Sequence, residues 1–389
     1  MKLLVIGCGQ CGGRIADEFA RLNRKAHAQR GIDIIADTFA VNTDVTDLSG
    51  LSYVRRDDQH RILIGGQKTS GHGVGKINEL GAEIAKEESD RVIEAARATP
   101  HFHEADAFLL VAGAAGGTGS GAIPILTQSL KERYVEKPLY NLIVLPFRYE
   151  EKVEDRTIYN AATCLKSVYL VADAVLLVDN QRYVKNASSI QHNMARINSS
   201  VVEPFYNLLC AGEEKKAKFI GSKVLDAGDI IQTLAGWTVI GYGRVQKPWF
   251  SFPFGKKRDF MDKATETQKG VQAMTSAIDG LSLKCDPIDA KRALYLLSAS
   301  PEEMNMTLVN EIGSSLKRIA TEAMIRSGDY PRGKRSLDVT VVLSELSNVS
   351  KVMGYFTTAI QRLSSYQKRR LDFEPSVLED AFKDIPSLL

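Results

Sequence analysis

The sequence predicts an α/β protein with an open, mostly parallel sheet, then one long helix, then a smaller α+β domain. Three observations predict it. Short apolar runs alternate with longer mixed segments over residues 1–180, the signature of repeated strand–helix–strand units. Several runs are near-continuous Val, Ile and Leu, as in strands buried on both faces of a parallel sheet. Beyond Asn180, Ile190, Met194, Ile197, Val201, Phe205 and Leu208 recur every three or four residues, which is the apolar stripe of an amphipathic helix.

In chain order, the strand-like runs are 3–6, 38–41, 62–64, 108–112, 142–145 and 174–178. Helix-like stretches at 12–29, 76–98, 121–133 and 152–171 lie between them. The long helix is expected over 185–211, ending near Gly212, a residue suited to a helix C-terminus. A short helix at 228–234 and a strand at 237–242 follow. The stretch 244–270, rich in Lys, Pro, Phe and Trp, reads as an insertion or long loop. Apolar runs at 293–297 and 339–343 and helices near 301–324 and 349–365 complete the smaller domain. With 389 residues, the chain exceeds the roughly 250–300 residues that one hydrophobic core supports. The expected division is 1–184, the helix 185–211, 212–370, and a tail 371–389. No internal repeat or low-complexity tract is present.

Hydrophobic residues make up 44% and charged residues 25% of the chain, ordinary for a globular protein. A net charge of +3 gives no electrostatic case for nucleic acid or an anionic membrane surface. The apolar run after Met1 is too short for a signal-peptide core, and no segment reaches about 18 apolar residues. The expectation is a cytoplasmic protein, not an integral membrane one. Of the five cysteines, Cys8 and Cys11 form a C-x-x-C pair. It lies in a glycine loop with no second pair and no nearby histidine, so small residues filling a tight turn explain it better than metal or redox chemistry.

The chemistry is carried by loops at strand ends. Gly7-Cys-Gly-Gln-Cys-Gly-Gly13 satisfies G-x-G-x-x-G, in which glycines let backbone N–H groups approach phosphate at a helix N-terminus. A dinucleotide site wants an acid about 20 residues on, but the second strand ends in Asn42-Thr-Asp44, over 30 residues past Gly12. Gly71-His-Gly-Val-Gly75, with Lys76 after it, fails as a P-loop because Ser70 and Ile77 stand where Gly and Ser/Thr are required. Gly113-Ala-Ala-Gly-Gly-Thr-Gly-Ser-Gly121 places five glycines in nine residues at a strand-to-helix junction. Such a loop is costly unless its backbone curls around something, and successive N–H groups there form an anion nest. Thr118 and Ser120 add hydroxyl donors.

Taken together, these loops resemble those of the tubulin/FtsZ superfamily. Ala40-Val-Asn-Thr-Asp44 is similar to the second loop of FtsZ, and Gly116-Gly-Thr-Gly-Ser-Gly121 is similar to the superfamily's defining motif. The segments Met1-Lys-Leu, Gly12-Gly-Arg-Ile-Ala-Asp17 and Asn78-Glu-Leu-Gly81 most resemble the archaeal CetZ group. The resemblance extends through the central helix to about residue 243.

That resemblance implies a GTP-binding domain over 1–184, a central helix, a GTPase-activating domain over 212–370, and GTP or GDP with Mg²⁺ as cofactors. It places the phosphates at Gly9, Gln10, Cys11, Gly12, Gly113, Gly116, Gly117, Thr118, Gly119 and Ser120. It brings Asn42, Asp44, Gly71 and Gly73 over the γ-phosphate. Asn180 matches a ribose or base contact, Asn198 the residue reading guanine's edge, and Met194 the side chain stacked on the base. Met194 also belongs to the apolar stripe, so a core role competes. Pro146-Phe-Arg-Tyr-Glu150 resembles a sugar-contacting loop of FtsZ. FtsZ has an arginine four residues after that glutamate. Here Glu154 takes its place and the nearest arginine is Arg156. No side-chain metal ligand is assigned.

Val224-Leu-Asp226-Ala-Gly-Asp229 is similar to the family's acidic loop, in which two acids polarise the attacking water. FtsZ has Asn where Val224 stands. In the family these acids belong to the next subunit, which implies a head-to-tail homopolymer, since heterologous contacts that do not close give filaments. A competing reading has Asp229 merely capping the helix that follows. The resemblance further implies a role in cell shape. Two alternatives are a non-polymerising nucleotide-binding regulator, motivated by Val224 and Glu154, and an NAD-dependent oxidoreductase, motivated by loop 7–13. The 244–270 insertion and the end 373–389 read more simply as a solvated loop and a docked helix than as surfaces for regulatory proteins. The basic clusters 332–335 and 368–370 read as solvated faces.

Overall fold

The structure, a computed structural model, describes residues 1–184, 190–214, 219, 221, 223–246, 260–333, 336–366, 382–383 and 385–389. The expected start of the long helix (185–189), the middle of the 244–270 insertion (247–259), part of the cluster 332–335, all of 368–370 and most of the tail lie outside the described residues.

In chain order the elements begin β1 (Leu3–Cys8), α1 (Gly9–Arg30), β2 (Ile35–Asn42), α2 (Val45–Ser49), β3 (Arg61–Leu63), α3 (Gly66–Thr69) and α4 (Asn78–Arg97). They continue with β4 (Ala107–Gly113), α5 (Thr118–Arg133), β5 (Leu139–Leu145), α6 (Arg148–Val153), α7 (Asp155–Val171), β6 (Ala174–Asp179) and α8 (Ile190–Cys210). Then come α9 (Ala227–Thr233), β7 (Gly236–Gln246), α10 (Phe260–Asp279), β8 (Ala290–Ser298), α11 (Met306–Ile319), β9 (Met324–Asp329), β10 (Ser336–Leu346) and α12 (Ser350–Tyr366).

The chain divides into two compact units. One is Lys2–Glu203 with Asn348–Leu389, the other Met1 with Pro204–Ser347. In the first unit the strands run parallel in the order β3-β2-β1-β4-β5-β6. Every residue of β1 and of β5 is buried, which is why they read as apolar runs, broken in β5 only by Asn141, whose amide pairs with Thr127. α1 packs on β2 and β4, and α4 lies along α5. In the second unit the order is β7-β10-β8-β9. β10 is antiparallel to both β7 and β8, and β8 is parallel to β9.

Three expectations need correction. The helix expected over 152–171 is two helices, α6 and α7, broken at Glu154, whose backbone is extended (φ −132°, ψ 115°). The Glu150 carboxylate reaches back over the start of α6 to accept from Phe147 N at 2.8 Å, and Glu154 turns out to pair with Lys76. The helix expected near 301–324 is α11 alone, Met306–Ile319, and of its expected end only Met324 enters a strand, opening β9. β9 lies at the sheet edge with its first residues exposed or half-buried, so no apolar run marks it. The 244–270 insertion is bounded by ordered elements, because β7 runs to Gln246 and α10 starts at Phe260. The predicted end of the central helix agrees with Gly212, whose φ of +77° suits a left-handed terminator.

Candidate nucleotide-binding site

All the strands of the first unit point their carboxyl ends toward one set of loops, the place where open α/β sheets bind ligands. Residues of these loops and Met194 of α8 enclose a cavity of about 300 Å³, within the range of small-molecule sites. It lies wholly within the first unit.

Two helix starts form its polar wall. Gly9, Gln10 and Cys11 from the first turn of α1 line it, as do Gly117, Thr118 and Gly119 at the start of α5. Neither helix has a side-chain cap or an acidic residue in its first turn. Uncapped N–H groups and the positive ends of two helix dipoles therefore meet in one cavity, an arrangement that favours an anion. Gly113, Ala115 and Gly116 complete the wall. Among the described residues the N–H groups of Gly116 and Gly117 have no backbone acceptor.

The glycines act differently from the expectation. No glycine of loop 113–121 has a positive φ, so the backbone does not curl through the left-handed region there. Instead three of them let neighbouring loops close in. A Cβ on Gly117 would lie 2.5 Å from Val74 Cγ2, one on Gly119 would lie 2.6 Å from Cys8 O, and one on Gly121 would lie 2.1 Å from Asn78 O. The left-handed glycines sit in the other loops, among them Gly9, Gly71 and Gly73.

Asn42, Asp44 and Gly73 line the adjoining wall. Asp44 caps α2 by accepting from Asp47 N at 3.1 Å. Asp47, which the sequence reading passed over, also lines the cavity. Its carboxylate accepts from Gln10 Nε2 at 2.6 Å and from Asn42 Nδ2 at 3.1 Å, tying the first loop to the second. Thr43 Oγ1 and Thr118 Oγ1 lie 2.6 Å apart, buried, tying the second to the fourth loop, 113–121. Gly73 N donates to Thr43 O at 3.1 Å, which brings in the third loop, 71–76. Lys76 also lines the cavity and pairs with Glu154, although the P-loop motif it would belong to is absent.

The opposite wall is more apolar, with Val144, Leu145, Pro146, Phe147 and Met194. Glu150 and the buried Asn180 supply its polar atoms. Arg156 points elsewhere and pairs with Glu79.

Four expected contacts do not line the cavity. Gly12 serves packing: a Cβ there would lie 2.0 Å from Val111 O, so its absence lets α1 approach β4. Ser120 is buried, and its hydroxyl donates to Gly116 O at 2.5 Å rather than into the cavity. Gly71 O accepts from Val45 N at 3.1 Å, holding the loops behind Gly73. Asn198 is buried on α8 beyond Met194, with no hydrogen-bond partner for its amide among the described residues.

Burial pushes the Cys8 and Cys11 thiols up to about 12, with Glu150 raising Cys11 further and Arg14 opposing it. Protonated thiols are poor nucleophiles and poor metal ligands. Among the described residues no group of three or more His, Cys, Asp or Glu is placed to hold a metal. A Mg²⁺ here would depend mainly on phosphate oxygens, as is usual for this ion.

Asp226 and Asp229 belong to the second unit. Asp226, not Asp229, is the cap: its carboxylate accepts from Asp229 N at 2.8 Å at the start of α9. Asp229 sits in the first turn, 3.6 Å from Arg326. Val224 is exposed. Among the described residues no helix is long and apolar enough to cross a membrane.

The profile of the Tubulin/FtsZ family, GTPase domain, matches residues 2–188. That of the tubulin-like CetZ C-terminal domain matches residues 187–361. The chain is 34% identical over 384 residues to the tubulin-like protein CetZ1 of Haloferax volcanii, covering 95% of this chain and 94% of that one. A structure of CetZ1 from that organism as a GDP-bound monomer matches with a TM-score of 0.79 at 32% identity, covering 93% of this chain and all of that one. A structure of CetZ2, a GTPγS-bound protofilament, matches with a TM-score of 0.79 at 28% identity, covering 94% and 100%. With both domains matched in order and nearly the full length covered, the chain belongs to the tubulin-like CetZ family of the tubulin/FtsZ superfamily.

Proposed function

We propose that this protein binds GTP and GDP in the cavity of its first unit, polymerises head to tail, and hydrolyses GTP where subunits meet. The observation that carries the binding reading is the pair of uncapped helix starts, α1 and α5, on one cavity wall. Family membership and the nucleotide-bound states of CetZ1 and CetZ2 supply the guanine base and the polymer.

In this reading Gly9, Gln10, Cys11, Gly113 and Gly116–Gly119 hold the phosphates, with Mg²⁺ neutralising part of their charge when bound. Asn42, Asp44 and Gly73 stand beside the terminal phosphate. Met194 stacks on the base, and Glu150 and Asn180 take the sugar. Asn198 reads the base only after a side-chain movement, since it stands outside the cavity. Asp226 and Asp229, delivered by the next subunit, orient the attacking water in line with the γ-phosphorus. Fixed donors along the loops absorb the charge that develops. Residues 1–184 are the nucleotide-binding domain, 185–211 the central helix, 212–370 the activating domain and 371–389 a tail. The cellular setting is the cytoplasm, and the role is control of cell shape.

The second reading, a regulator that binds nucleotide without polymerising, is favoured by Val224, which is exposed where FtsZ has a polar residue. Electron microscopy with GTP, a non-hydrolysable analogue and GDP separates the two. Filaments with the first two nucleotides support polymerisation. Nucleotide binding with no filaments under any condition supports the regulator.

A further inference from the structure

Asn160 lies on α7, is completely buried, and does not line the cavity. Its side-chain amide nevertheless reaches the backs of two cavity loops. Nδ2 lies 2.9 Å from Lys76 O, 3.1 Å from Ala115 O and 3.0 Å from Gly116 O. One NH₂ group thus gathers the carbonyls of the third and fourth loops to a single point.

The planar trans peptide turns this contact into a statement about the cavity. Within each peptide unit the C=O and the following N–H point in opposite directions. With the carbonyls of Ala115 and Gly116 drawn to Asn160, the N–H groups of Gly116 and Gly117 are turned to the other side of the loop. Ala115, Gly116 and Gly117 all line the cavity, and those N–H groups have no backbone acceptor among the described residues. A peptide flip would place a carbonyl oxygen where an anion is to bind, and a buried amide anchored behind the loop opposes that flip.

We propose that Asn160 is a positioning residue that turns the Gly116 and Gly117 N–H groups toward the phosphates of a bound nucleotide and clamps the third loop to the fourth. The inference rests on the nucleotide-binding reading above. It also accounts for Asn160 Oδ1 being buried without a partner among the described residues. An unpaired buried acceptor is costly, so the amide is retained for its donors.

The test is competition against a fluorescent guanine nucleotide with GTP, GDP and guanosine, using the full chain and Asn160→Ala, with thermal unfolding measured in parallel. Two mis-set N–H donors to a charged oxyanion correspond to a loss of about tenfold or more in affinity. GTP and GDP are expected to weaken by that factor, while guanosine, which has no phosphate, keeps its affinity. An equal loss for all three ligands, or a lowered unfolding temperature with unchanged GTP and GDP affinity, makes Asn160 a fold residue and overturns the proposal. If Asn160→Ala does not fold, Asn160→Ser, which keeps one donor, takes its place with the same two outcomes at smaller magnitude. Failure of the unaltered protein to bind GTP or GDP overturns the nucleotide reading itself, and this inference with it.

Discussion

The carboxylate of Asp226 accepts a hydrogen bond from the backbone N–H of Asp229 at 2.8 Å. The two acids that family resemblance pairs as catalytic are therefore also paired structurally. The first caps the helix on which the second sits, and Asp229 is held 3.6 Å from Arg326.

Structure and chemistry at Asp226 are separable. Asp226→Ala removes the cap and is expected to cost about 1 kcal/mol of stability, together with GTP hydrolysis. Asp226→Asn is an equally good cap, so stability is kept while hydrolysis is lost. Denaturant unfolding and phosphate release read the two effects, with nucleotide binding unchanged in both variants. Hydrolysis by Asp226→Asn at the unaltered rate would remove Asp226 from the mechanism.

An active site completed by a second subunit makes turnover depend on assembly. Specific GTPase activity is expected to rise with protein concentration and to level off once filaments dominate. Phosphate release measured across a dilution series checks this. A constant value per molecule means that each chain hydrolyses GTP alone.

Gly12 is a packing residue. Gly12→Ala places a methyl 2.0 Å from Val111 O, a backbone atom that can move only with its strand. Overpacking of this kind is expected to cost about 1–3 kcal/mol, seen as a lower urea midpoint. Because α1 carries Gly9 and Gln10 into the cavity, nucleotide affinity is expected to fall in the same variant. An unchanged midpoint would show that α1 and β4 separate freely.

The thiols of buried Cys8 and of half-buried, cavity-lining Cys11 set an alkaline limit. Cys8 and Cys11 rise from 9.0 to about 12 on folding, so the folded state holds these protons more tightly than the unfolded chain does. Their contribution is complete below pH 9.0 and is lost as pH climbs toward about 12. Unfolding midpoints between these limits are expected to fall less steeply in Cys11→Ala than in the unaltered protein. Parallel curves would place the alkaline sensitivity in other groups.

The sequence by itself determined the sheet of the first unit, the central helix and the glycine loops. Those features are local in origin: strands buried on both faces must be apolar along their length, a helix with one buried face repeats every three or four residues, and close loop contacts demand glycine. β9 and α10 leave little trace in the sequence, one because an edge strand is held by backbone hydrogen bonds that need no side-chain pattern, the other because its start lies inside a stretch that reads as loop. Only the tertiary structure decided which side chains face the cavity. Ser120 lies one residue past cavity-lining Gly119 yet turns back to Gly116 O. Asp47 joins Gln10, distant in sequence, to Asn42. Asn160 governs two loops from a helix behind them. A motif records which residues are near in the chain, whereas the direction of a side chain is set by the helix and strand that happen to pack beside it.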